Sequence, residues 1–155
     1  MKKILFVCLG NICRSPMAEA VMNKCVDERE LTADYVIDSA GLIDYHEGEL
    51  PDMRMRQHAS MRGYYLTHCS RPIEMDDFAR FDYIIGMDVQ NQKSLCAMAR
   101  RYSGHGKVLD MASFLTRHKS DSIPDPYYGG DSGFEYVIDL LEDACASLLD
   151  WLESQ

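Results

Sequence analysis

Four apolar runs of strand length, "KILFV", "YVID", "DYIIGM" and "KVLDM", alternate along the chain with segments whose apolar residues recur at helical spacing. Short buried strands that take turns with helices pack as a parallel sheet covered by helices, so the alternation predicts an α/β fold. The first helix is expected to start with Ser15 as N-cap and Pro16 at its first position, with Met17, Val21 and Cys25 along its apolar stripe. A second opens near Pro51 and Asp52 and ends around Gly63, and a third follows Asp88 to about Arg101. The last, from about Gly133, puts Phe134, Val137, Ile138, Leu141, Cys145, Leu148 and Leu152 on one face, the pattern of a helix packed on a sheet. Before it lies "SFLTRHKSDSIPDPYYGGDSG", a turn-rich segment with little regular pattern. Loops of this length are functional or disordered, and the aromatic pair argues against disorder. With no internal repeat, low-complexity tract or linker, residues 1–155 are expected to form a single domain.

Lys and Arg number 16 against 25 Asp and Glu, a formal net charge of −9. A field of that sign repels polyanions, so no nucleic-acid partner is expected, and an anionic ligand must be caught by a local device. The start "MKKILFVCLG" imitates a secretory signal, but its apolar run is short and is soon interrupted by Asn11 and Arg14, so it reads as the first strand. No stretch approaches the length of a membrane span. The expectation is therefore a cytoplasmic protein with no membrane association, whose six cysteines stay reduced and serve packing or reactivity.

The local device is "VCLGNICRSP", Val7 to Pro16. A strand ending at Val7, a glycine-containing loop and a helix start aim several backbone N–H groups at one point, a concavity that binds an anion. Arg14 adds a planar fork matched to two phosphate oxygens. Cys8, at the floor of the loop, sits in the same positive potential, and a field that holds phosphate also favours a thiolate. Ser15 is placed to give its hydroxyl to that sulfur. The glycine-rich loop of nucleotide-binding proteins is the physical rival, but it ends in Lys-Ser or Lys-Thr, and "CLGNICRS" has neither that lysine nor that spacing.

With these residues and the late "DPYYGG", Asp125 to Gly130, the chain resembles the low molecular weight protein tyrosine phosphatases over essentially its whole length. The resemblance implies a central four-stranded parallel sheet with helices on both faces and a phosphate-binding loop after the first strand. It implies Cys8 as nucleophile, Arg14 as the charge-stabilising cation and Asp125 as general acid, with phosphate bound by the loop from Leu9 through Gly10, Asn11, Ile12, Cys13 and Arg14 to Ser15. Asn11 would hold the loop by side-chain hydrogen bonds to its backbone. Tyr45, Tyr127 and Tyr128 would form walls of the substrate slot, and Cys13 would be a redox partner for Cys8. The implied substrates are phosphotyrosine-containing proteins or small aryl phosphates, and a monomer or weak dimer is expected. No cofactor or metal is implied, because Arg14 and the loop amides supply the compensating charge.

Blander readings stand beside these. Asp125 before Pro126 is also an ordinary turn start, and Tyr127 and Tyr128 are also ordinary loop packing. His46, His58, His68, His105 and His118 show no metal-ligand spacing and default to surface or supporting positions, with His68 a candidate buttress for Ser15 and Asn11. Cys25 and Cys145 fall on apolar helix faces, while Cys69 and Cys96 carry no assignment. Two other functions stay open: a thiol-dependent arsenate reductase, which shares this fold and loop but relays electrons through further cysteines, and a phosphate-binding module without activity.

Overall fold

The computed structural model describes every residue of the chain except Tyr128. Strands β1 (Lys2–Cys8), β2 (Tyr35–Gly41), β3 (Tyr83–Gly86) and β4 (Lys107–Asp110) pair entirely in parallel, in the order β2-β1-β3-β4. Helices α1 (Arg14–Glu28), α2 (Met53–Met61), α3 (Asp77–Arg80), α4 (Val89–Arg101) and α5 (Asp131–Glu153) surround the sheet.

The alternation of side chains along β1 divides the core in two. Ile4, Phe6 and Cys8 face Met17, Val21 and Met22 of α1 and Phe134, Val137 and Leu148 of α5. Leu5 and Val7 face the other way, against Phe78 of α3 and Leu95 of α4. The helices thus lie on both faces, and β1, buried on both, reads as a continuous apolar run.

The four strands and the helices α2 and α4 fall where the pattern places them, and α5 opens slightly earlier than Gly133, at Asp131. The start of α1 differs. Ser15 is not the N-cap: the helix begins at Arg14, preceded by Cys13, and no side chain caps it. The Ser15 hydroxyl is turned instead toward Cys8 and Asn11. Pro16 then falls within the first turn, where a missing N–H costs the helix nothing.

From β2 the chain crosses back over β1 to form β3, so the order reverses between β1 and β3. Open parallel sheets bind ligands at the carboxyl ends of the strands beside such a reversal. Cys8 ends β1 in register with Gly41 at the end of β2, and Val7 pairs with Gly86 at the end of β3. Gly41 sits where the loop passes close, since a Cβ there would come within 3.1 Å of the Leu9 carbonyl and of Asn11 Cβ and would press both to shift. No helix among the described residues is long and apolar enough to cross a membrane.

Candidate active site

Between Cys8 and Arg14 the chain turns through Asn11, whose φ of +57° lies in the left-handed region that Asn tolerates better than most residues. Its buried amide is fully used. Nδ2 donates to Ser15 Oγ at 2.7 Å and Ser39 Oγ at 3.1 Å, while Oδ1 accepts from the Arg71 N–H at 3.0 Å and from His68 Nε2 at 2.9 Å. This corrects the expectation that Asn11 bonds the loop's own backbone. It ties the loop to β2 and to the segment before α3, because the loop carbonyls are engaged elsewhere. Cys8 O and Leu9 O accept from Leu42 N, Gly10 O from Ser70 Oγ, and Ile12 O from Asp52 N.

Ser15 Oγ lies 3.0 Å from Cys8 Sγ. With Asn11 donating to that oxygen, the hydroxyl hydrogen has two acceptors in reach, Cys8 Sγ and, at 3.5 Å, the Ala40 carbonyl, and the sulfur is the closer. Behind this chain, Ser39 donates to Glu19 at 2.7 Å, and His68 Nδ1 stands 3.4 Å from both Glu19 and Asp38. Burial, reinforced by Asp38, pushes the Glu19 carboxyl up to about 7, and burial pulls His68 below its ordinary value. His68 therefore buttresses Asn11, though it does not touch Ser15 directly. Glu19, Asp38 and His68 present ligand-type atoms within 4.8 Å of one another. Arg71, paired with Asp38 at 3.1 Å, already supplies a cation there.

Arg14 is buried, and its Nη1 donates to Asp88 Oδ2 at 2.6 Å and to the Ile123 carbonyl at 3.0 Å. Its Nη2 is 3.6 Å from Asp125 Oδ2. Burial works against the guanidinium's charge, but Cys8, Asp88 and Asp125 outweigh it and hold the pKa above its ordinary value. Asp88 also caps α4, accepting from Asn91 N at 2.7 Å, so its position is fixed from two sides.

These groups surround a cavity of about 340 Å³. Cys8, Gly10, Cys13 and Arg14 line it from the loop, together with Ile43, Tyr45 and His46 from the segment after β2 and Asp125 and Tyr127 from the segment before α5. The structure thus brings Cys8, Leu9, Gly10, Ile12, Cys13, Arg14, Tyr45, Asp125 and Tyr127 to one cavity. Asn11 and Ser15 stand behind it, and Tyr128 lies outside the described residues. Tyr45 is 80% exposed, a rim residue rather than a buried wall. Sequence reasoning missed His46, which stacks edge-on against Tyr45 at 4.8 Å and pairs with Glu49, and it missed Asp88 as the partner of Arg14. The only signal for Asp88 was its place as a helix cap just after a strand.

A thiol, a hydroxyl and a guanidinium gathered at the carboxyl end of a parallel sheet, with a carboxylate beside the guanidinium at the same open cavity, define a protein built to receive a compact anion on sulfur. The model of the low molecular weight phosphotyrosine protein phosphatases matches residues 3–155, and the chain belongs to that family. A Synechocystis protein assigned by name to the low molecular weight protein-tyrosine-phosphatases is 48% identical over 147 residues, 95% of this chain and 94% of that one. A protein tyrosine phosphatase from Entamoeba histolytica, solved as a product-state mimic, superposes with a TM-score of 0.93 at 47% identity, covering 100% of this chain and 97% of its own. The Drosophila arginine phosphatase superposes equally well, with a TM-score of 0.93 at 37% identity, covering 100% of this chain and 99% of its own.

Proposed function

We propose that this protein hydrolyses phosphotyrosine monoesters through a phosphocysteine intermediate, acting as a single domain over residues 1–155. The observation that carries the reading is the meeting of Cys8, Arg14 and Asp125, drawn from distant parts of the chain, around one cavity. The Cys8 thiolate attacks phosphorus in line, forming the S–P bond as the P–O bond to the phenol breaks. Arg14 and the loop amides, whose carbonyl partners are engaged outward, stabilise charge on the equatorial oxygens. Asp125 protonates the departing phenolate oxygen. Water then attacks the phosphocysteine, Asp125 takes its proton, and the S–P bond breaks to release phosphate and the thiolate. Ser15, donating to Cys8, stabilises the sulfur as attacking and leaving group. Ile43, Tyr45 and Tyr127 are the surfaces offered to the aryl ring, and Tyr128 is a further wall by resemblance.

We place the protein in the cytoplasm, acting on phosphotyrosine proteins or small aryl phosphates as a monomer or weak dimer. Release of phosphate from phosphotyrosine and p-nitrophenyl phosphate tests the reading, run beside phosphoarginine and beside arsenate with thioredoxin. Turnover of the aryl esters well above the other two is the expected result. Preference for phosphoarginine, or arsenate reduction without esterase activity, would replace it.

A further inference from the structure

We propose that Arg54 is a positioning residue for the general acid, a clasp that joins the phosphate loop to the segment carrying Asp125. The inference rests on the acid role proposed above for Asp125. Arg54 stands in the first turn of α2, where Asp52 is the N-cap and accepts from Arg54 N at 2.8 Å. The Asp52 carboxylate also grips the guanidinium, with Nε 3.3 Å from Oδ1 and Nη2 3.3 Å from Oδ2. Asp52 is itself moored to the phosphate loop, since its N–H donates to the Ile12 carbonyl at 2.8 Å. The fork of Arg54 thus has one side fixed to the nucleophile's loop.

Its other side holds the acid segment. Nη2 donates to the Tyr127 carbonyl at 2.7 Å and Nη1 to the Gly129 carbonyl at 3.4 Å. The guanidinium also lies over the Tyr127 ring, 5.6 Å from its centroid, and over Phe134 at 4.8 Å. Tyr127 passes this constraint to the acid: its N–H donates to Asp125 Oδ1 at 3.0 Å, which leaves Oδ2 as the oxygen turned toward Arg14 and the cavity. A chain of contacts therefore runs from Ile12 through Asp52, Arg54 and Tyr127 to Asp125, and it selects which carboxylate oxygen faces the leaving group.

The ion pair with Asp52 is nearly half exposed on the Arg54 side, and pairs of that kind add little to stability. Displacing a catalytic group by about 1 Å, in contrast, costs on the order of 10²-fold in rate. Lysine is a poor substitute, because a single ammonium spans neither both carbonyls nor both rings.

The test is a leaving-group series of aryl phosphates, from 2,4-dinitrophenyl to phenyl phosphate, read as kcat/KM for wild type, Arg54→Ala, Arg54→Lys, Asp125→Asn and Arg54→Ala/Asp125→Asn. Arg54→Ala is expected to lose about 10²-fold on phenyl phosphate, with the loss shrinking toward the dinitrophenyl ester, because only the poor leaving group needs a placed proton. Arg54→Lys recovers part of the loss. The double variant is no slower than Asp125→Asn alone, since two residues acting through one proton are not additive. Equal losses across the series, or losses that multiply in the double variant, would overturn the clasp and leave Arg54 a substrate contact. If Asp125→Asn itself shows no leaving-group dependence, the acid reading fails and the clasp with it. Should Arg54→Ala not fold, the slope of Arg54→Lys against wild type decides in its place.

Discussion

Across the cavity, two segments reach the same point by different means. From Cys8 to Ser15 the chain is short, mostly buried apart from Leu9, and held by Asn11's four hydrogen bonds, by carbonyls bonded outward, and by the strand and helix at its ends. From Leu115 to Gly130 the described residues carry no helix or strand, and the segment hangs from a few side chains and backbone contacts. Asp143 of α5 gathers the N–H groups of Thr116, Arg117 and His118 at one end. Ile123 N bonds the Met87 carbonyl in the middle, and Arg54 holds the other end. The loop proposed to bind the anion is thus built by local sequence, while the segment proposed to deliver the proton is held by residues far along the chain. The two sides are expected to fail separately.

The largest effect comes from breaking the preorganised side. Attack requires sulfur, so Cys8→Ser removes turnover, while the intact amides and Arg14 still bind phosphate or vanadate. Turnover and vanadate binding by the same pure protein are the readouts. Steady-state hydrolysis above contaminant level by this variant would sink the nucleophile assignment.

Next is Asp125→Asn, which leaves the loop untouched. Removing a positioned acid typically costs about 10²–10⁴-fold. Phosphotyrosine is expected to suffer most and p-nitrophenyl phosphate, whose phenolate leaves readily, much less. Identical losses on both esters would mean that Asp125 only shapes its turn.

The same contrast explains what is legible in the sequence. The strand run, the glycine-containing turn and the Cys-to-Arg spacing of "VCLGNICRSP" are neighbours in the chain, so the loop and the sheet beneath it can be read directly. Ser15 departs from its expected place because two local roles compete for one hydroxyl, capping the helix or facing Cys8, and the second prevails. Asn11's partners cannot be read, since Ser39, His68 and Arg71 lie on other elements. The holders of the acid segment leave no local mark. Arg54 meets Tyr127 across 73 positions and Arg14 meets Asp88 across 74. In the sequence, Asp143 looks like any solvated carboxylate on a helix.

Asp143 separates the stability of the acid segment from its chemistry. Its side chain is buried, and although burial alone would raise its pKa, bonds from Thr116, His118 and the backbone pull it down to about 2. A carboxylate depressed in the folded state contributes stability above its unfolded pKa, and that contribution is lost as pH falls through the folded value. The shift from 3.8 to about 2 corresponds to roughly 2 kcal/mol, present at neutral pH and disappearing between about pH 4 and 2. Asp143→Asn is expected to unfold more easily at neutral pH by about that amount, with the gap to wild type closing in acid. Urea unfolding at stepped pH measures it, and a gap independent of pH would mean that the anchor works through shape rather than charge.

The smallest expected change in basal rate is that of Cys13→Ser, which asks whether the preorganised side carries its own protection. In the proposed mechanism residue 13 offers phosphate its backbone N–H, which serine retains, so most of the starting activity is expected to survive. Burial, with Asp52, Cys8 and Asp125 nearby, pushes the Cys13 thiol well above its ordinary value and keeps it protonated. Peroxide is therefore expected to oxidise Cys8, the proposed nucleophile, to sulfenic acid before Cys13. On the proposed redox role, the Cys13 sulfur is then expected to displace the hydroxyl, which leaves as water with the Cys13 proton, giving a Cys8–Cys13 disulfide that dithiothreitol reduces back to two thiols. Bound phosphate is expected to slow the first step by covering Cys8. Serine cannot carry out the displacement, so the sulfenic acid in Cys13→Ser goes on to sulfinic acid, which a thiol does not restore. Recovery after peroxide is expected to fall sharply in that variant, with the sulfinic mass on the Cys8 peptide. Full recovery without that mass would reduce Cys13 to a packing residue and leave the phosphate loop with no redox protection of its own.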